Sequence, residues 1–104
     1  MVRNLFADLP APGTEETFEQ LAGGAAVRIE RIVSFGQRSA EGFWYDQADD
    51  EWVVVLEGSA GLRFEDASDV IVLRRGDSLV IPAHARHRVE WTEDRTIWLA
   101  VHYR

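Results

Sequence analysis

From Ala26 onward the apolar residues fall in short runs that alternate with polar ones and are broken by Gly, Asp and Ser. The runs Val27 to Ser34, Gly42 to Asp46, Trp52 to Leu56, Gly61 to Glu65, Val70 to Leu73, Ser78 to Ile81, Arg88 to Trp91 and Thr96 to His102 have the length and period of β-strands. Strands so closely spaced predict an all-β antiparallel sandwich or barrel rather than alternating helices and strands. The chain before Ala26 reads differently. Pro10, Pro12 and Gly13 break it, and Thr14 is placed to cap a short helix with Glu15 and Glu16 in its first turn, ending at Gly23 and Gly24. The predicted organisation is one domain, with an N-terminal arm carrying a short helix over 1–25 and a barrel over 26–104.

Alternation also assigns faces. Phe43, Tyr45 and Gln47 share one side of their strand, with Trp44 and Asp46 on the other. Val53 and Val55 follow Glu51 to the inside, and Val89 and Trp91 follow His87. On the last strand Thr96, Trp98, Ala100 and His102 oppose Ile97, Leu99, Val101 and Tyr103, and either set can face inward. Phe43, Trp91 and Trp98 are expected, with Tyr45, to wall a small-molecule pocket that is apolar with one polar end. Trp44, Trp52, Val54 and Leu56 point outward, an apolar patch that predicts a homodimer.

Composition narrows the function classes. The 104 residues carry 18 acidic and 11 basic side chains, a net charge of -7, so nucleic acid is an unexpected partner: neutralising phosphates takes clustered positive charge. There is no Cys, which excludes disulfides and thiolate metal sites. No segment approaches the roughly 20 apolar residues of a membrane-spanning helix, and the N-terminus lacks the apolar run of a signal peptide. A cytoplasmic protein without membrane contact is the expectation.

Two segments hold most of the chemistry, Phe43 to Gly58 and Gly76 to Val89. Glu51 is followed after six residues by Gly58. Gly76 is followed after five by Pro82, and His87 closes the run, with His84 two residues beyond Pro82. These spacings resemble the two motifs of the cupin superfamily, small β-barrel or jelly-roll proteins that often dimerise. His84 stands where the second motif usually has Gly. The first motif usually has two His before its Glu; here those positions are Tyr45 and Gln47 in the shorter spacing, or Trp44 and Asp46 in the longer.

The resemblance implies a divalent transition metal, Zn, Mn, Fe or Ni, held by Gln47, Glu51 and His87, with Tyr45, water or, through a β-bulge, Asp46 completing the set. Tyr45 or His102 would move a proton on a small organic molecule in the barrel, in an oxygenase, isomerase or lyase reaction. The alternative is a metal-free module that grips a sugar or an aromatic acid. A third reading is a metal-free epimerase in which His87 is the base and Tyr45 the acid.

Overall fold

The computed structural model describes residues 2–104, and among these it contains eight strands and no helix. They are β1 Thr17–Gly23, β2 Val27–Phe35, β3 Asp50–Glu57, β4 Ser59–Phe64, β5 Ile71–Arg74, β6 Ser78–Ile81, β7 His87–Thr92 and β8 Asp94–Tyr103. All neighbours pair antiparallel, in a five-stranded sheet β1-β2-β8-β3-β6 and a three-stranded sheet β5-β4-β7. The strands expected from Val27 onward are present within a few residues. Gly42 to Asp46 is the exception: only Tyr45 pairs, through a bridge to His87. No helix among the described residues is long and apolar enough to cross a membrane.

The helical arm expected over 1–25 is not formed. Thr17–Gly23 is a strand, paired to β2 from Thr17 opposite Val33 to Gly23 opposite Arg28. The capping pattern at Thr14 is a local preference, whereas the ladder offered by β2 satisfies the backbone of the whole segment. Ahead of β1 the chain turns at residues 5–8 and packs against the outer face of β2. There the buried guanidinium of Arg31 donates to the carbonyls of Leu5, Ala7 and Asp8 at 3.1, 2.9 and 3.2 Å and pairs with Glu19 at 3.0 Å.

Between the sheets, Ile32, Val53, Val55, Ala60, Leu62, Leu73, Ile81, Trp98 and Ala100 form the core. β3 alternates as its sequence demands, with Glu51, Val53 and Val55 buried and their neighbours half-buried. On β8 the set facing the core is Thr96, Trp98, Ala100 and His102. Trp98 is anchored by its Nε1–H, which donates to Ser34 Oγ at 3.1 Å. The β3–β4 turn depends on Gly58, at φ 82°. A Cβ there would lie 2.7 Å from Thr96 Oγ1 and 2.8 Å from the Arg95 carbonyl, so both backbone strain and space select Gly.

Trp91 does not face inward. In the β4–β7 ladder Gly61 pairs with Trp91 but Leu62 pairs with Val89, which leaves Glu90 as an extra residue. This bulge shifts the alternation by one, so Val89 stays on the cavity side while Trp91 turns out across the bare face of Gly61, where any Cβ would overlap its indole. Trp44 is likewise outside, with the Arg63 and Arg88 guanidinium carbons 4.9 and 5.7 Å from its ring centre. It therefore belongs to the outer side of β4 and β7, whereas Trp52, Val54 and Leu56 lie half-buried on β3 beside the exposed Val80 of β6.

Candidate functional site

The mouth of the barrel is built by a corner in the chain. Tyr45 and His87 exchange both backbone hydrogen bonds, Tyr45 N–H to His87 O at 2.7 Å and His87 N–H to Tyr45 O at 3.1 Å. Tyr45 thus runs beside β7 in the small sheet. Five residues later Asp50 and Glu51 pair with β8, and Glu51 also with β6, in the large sheet. The segment from Tyr45 to Glu51 thus bridges the two sheets. That crossing brings Tyr45, Gln47 and Glu51 to one end of the interior.

The corner is held from below by the turn after Pro82. His84 has φ 63°, the left-handed conformation that favours Gly, which accounts for a Gly-tolerant position in the motif spacing. Its N–H donates to the Gln47 carbonyl at 2.7 Å, and its Nδ1–H donates to Asp46 Oδ1 at 2.8 Å on the exposed surface. Asp46 is therefore directed out of the barrel.

A cavity of about 80 Å³, open at its mouth, occupies the interior. Its walls are apolar: Ile32, Val53, Leu62, Ile81, Val89 and Trp98, with Phe18 of β1 at the rim. Its polar groups are Glu16, Glu30, Tyr45, Gln47, Glu51, His87 and His102. Of the residues expected at the site, Tyr45, Gln47, Glu51, His87, His102 and Trp98 come together here. Phe43 does not line the cavity; it is 44% exposed and packs edge-on to Tyr45 with ring centres 4.8 Å apart. Trp91 is excluded by the bulge described above.

The two histidines are tied differently. His87, 4% exposed, donates Nδ1–H to the Ala85 carbonyl at 2.8 Å, which leaves the lone pair on Nε2. Among the described residues no hydrogen bond reaches that Nε2. The Tyr45 ring stacks on His87 with centres 5.4 Å apart and planes at 23°. His102 donates Nε2–H to Glu30 Oε1 at 3.1 Å, while its Nδ1 is sealed in the protein without a partner. That hydrogen bond, with Arg28 also nearby, holds the Glu30 carboxyl below its ordinary range against the opposing effect of burial.

Tyr45 is pushed the other way. Burial, and then the negative charges of Glu16 and Glu51, raise its phenol to about 12. Glu51 is 7% exposed and accepts one side-chain hydrogen bond among the described residues, from Gln47 Nε2 at 3.0 Å.

These contacts bear on the metal set that the motifs imply. Gln47 presents its amide N–H, not its oxygen, to Glu51. Tyr45 is held as a phenol, and Asp46 points outside. Among the described residues no group of three His, Cys, Asp or Glu side chains is arranged to hold an ion.

Glu16, Phe18 and Glu30 were not among the expected site residues. Glu16 and Phe18 arrive through β1, and Ser34 Oγ–H fixes Glu16 by donating to Oε2 at 2.7 Å. Glu30 lies on the cavity-facing side of β2 with Ile32, two residues apart as a strand requires. The one signal for it was that parity.

The cupin domain family matches residues 32–102. A protein of Ralstonia eutropha JMP134, provisionally named a mannose-6-phosphate isomerase, is 50% identical over 99% of this chain and 97% of its own, with a TM-score of 0.95. A cupin superfamily protein of Desulfitobacterium hafniense is 23% identical over 91% of this chain and 83% of its own, TM-score 0.76. An RmlC-like cupin of Desulfovibrio desulfuricans is 21% identical over 98% and 95%, also with a TM-score of 0.76. The last two likenesses concern the fold alone. No curated protein matches the chain.

Proposed function

The chain belongs to the cupin family, and on that premise we propose that its barrel binds a small organic molecule and moves a proton on it without a resident metal. The observation that carries this reading is the pair formed by His87 and Tyr45. An imidazole with its lone pair open to the cavity is stacked on a phenol that remains protonated. A buried base beside a half-buried acid suits proton abstraction next to a carbonyl. His87 Nε2 takes the proton from carbon while the Tyr45 hydroxyl gives its own to the carbonyl oxygen, yielding an enol. Return of both protons, with the carbon proton delivered to a different position or face, gives the isomer. Glu51 and Gln47 supply acceptors and a donor for hydroxyls of the same molecule. The isomerase name carried by the 50% identical relative agrees with this class of reaction.

The test is deuterium uptake. A panel of small aldehydes, ketones and sugars incubated with the protein in D2O is read by NMR for exchange of the hydrogen next to the carbonyl. Exchange lost in His87→Gln and Tyr45→Phe is the expected outcome; no exchange across the panel removes the catalytic reading and leaves a binding module. Metal content is measured on the same protein, purified without tag or chelator. About one transition metal per chain, lost in Glu51→Ala and His87→Ala, would replace this reading with a metal-holding site in the sense of coordination chemistry at hard and borderline donors.

Self-association is a separate proposal. The outer side of β3 and β6, with Trp52, Val54, Leu56 and the exposed Val80, is the surface on which two copies would pack. Light scattering should return twice the 11.8 kDa chain, and a monomer mass removes the idea.

A further inference from the structure

Charge in the cavity selects among ligands. The lining holds three carboxylates, Glu16, Glu30 and Glu51, and no Arg. The basic residues that could have entered are engaged elsewhere. Arg31 is buried under the N-terminal arm on the outer face of β2, and Arg63 and Arg88 lie over Trp44 outside the small sheet. Arg28 lies behind Glu30, 3.7 Å from it, and lines a second crevice rather than this cavity.

Open hydrogen-bonding positions inside add to this selection. Glu51 and His87 are 7% and 4% exposed, both line the cavity, and among the described residues Glu51 Oε2 and His87 Nε2 have no hydrogen-bond partner. Both are acceptors. A buried carboxylate and a buried imidazole lone pair are completed by donors, and an N–H or O–H of a guest supplies them. A phosphate or carboxylate brings only more acceptors. It would shed part of its water beside three like charges, with the Tyr45 hydroxyl and the Gln47 amide as the available donors.

We infer that the ligand of this cavity is uncharged or cationic, a donor-rich hydroxyl or amine compound with an apolar face, and that phosphorylated and carboxylated molecules are rejected. This rests on the reading of the cavity as the functional site, and it separates this chain from the sugar phosphate in its relative's provisional name.

The experiment uses three matched probes, benzylamine, benzyl alcohol and benzoate, titrated at millimolar concentrations and followed by the Trp98 indole N–H resonance, which reports occupation of this cavity. Benzylamine and benzyl alcohol are expected to bind, benzylamine at least about tenfold more tightly than benzoate. Glu16→Lys, which reverses charge at the mouth, is expected to shrink that preference. Benzoate binding as tightly as benzylamine, no shift with any of the three, or a preference unchanged in Glu16→Lys overturns the inference. Deuterium exchange confined to sugar phosphates would overturn it too while leaving His87 and Tyr45 in their roles. The expected probe ranking without exchange would retain the inference and remove the chemistry.

Discussion

The cavity has two histidine regions, one at the corner around Tyr45 and one on the wall around Glu30, and they differ in which nitrogen the protein has taken. At the corner a backbone carbonyl holds His87 Nδ1, and Nε2 opens on the cavity. On the wall a carboxylate holds His102 Nε2, and Nδ1 is sealed. Both side chains are 4% exposed, so burial does not distinguish them. Position of the free lone pair does. His87 can exchange a proton with a guest, whereas His102 orients Glu30 and keeps it ionised. The role first given to His102, as a mover of protons, passes in this proposal to His87.

The comparison is broken most directly by removing each ring. His87→Gln should lower the exchange rate by about 10² to 10⁴, the usual contribution of a positioned base, with little change in the denaturation midpoint. His102→Ala should do the reverse. It leaves the half-buried Glu30 without its imidazole donor and opens a void, a loss of about 1–3 kcal/mol read by urea unfolding, with a smaller effect on exchange. Equal effects of the two variants on rate would end the distinction.

Finer tests use pH. Glu30 titrates below its ordinary value in the fold, so its contribution to stability is present above about pH 4.5 and is lost as pH falls through the lower folded value. This acid limb should be reduced in His102→Ala and retained in His87→Gln. The smallest expected effect is alkaline. The Tyr45 phenol rises from 10.0 to about 12, so the folded protein holds its proton where the unfolded chain has released it. Stability is fully present below about 10 and declines as pH rises toward 12, and Tyr45→Phe should flatten that limb in unfolding curves.

Much of this was legible in the chain. The strands from Val27 onward, Gly42 to Asp46 excepted, followed from period and turn residues, and the spacing of Glu51, Gly58, Gly76, Pro82 and His87 located the polar end of the cavity. What escaped depended on partners distant in sequence. β1 was obscured because Thr14, Glu15 and Glu16 form a good local cap, while its strand state comes from pairing with residues 28–33. The loss of β1 hid Glu16 and Phe18 as well. Trp91 was misplaced by one extra residue, Glu90, since parity carries across a ladder only where no bulge intervenes. Gln47 was located correctly beside Glu51, but which end of its amide faces the carboxylate is fixed by electrostatics that spacing does not encode.

β1 also has a kinetic consequence. It is an edge strand, hydrogen-bonded on one side to β2, and most of its side chains are exposed. Such a strand opens at a lower free energy than the central β8. Because β1 carries Phe18 at the cavity rim and follows directly on Glu16, a guest that touches them favours the closed strand by mass action. Amide hydrogen exchange should then be fast in β1 and slow in β8 in the free protein. Protection of Thr17–Gly23 should rise with ligand concentration, making the backbone of this strand an occupancy gauge that needs no knowledge of the reaction.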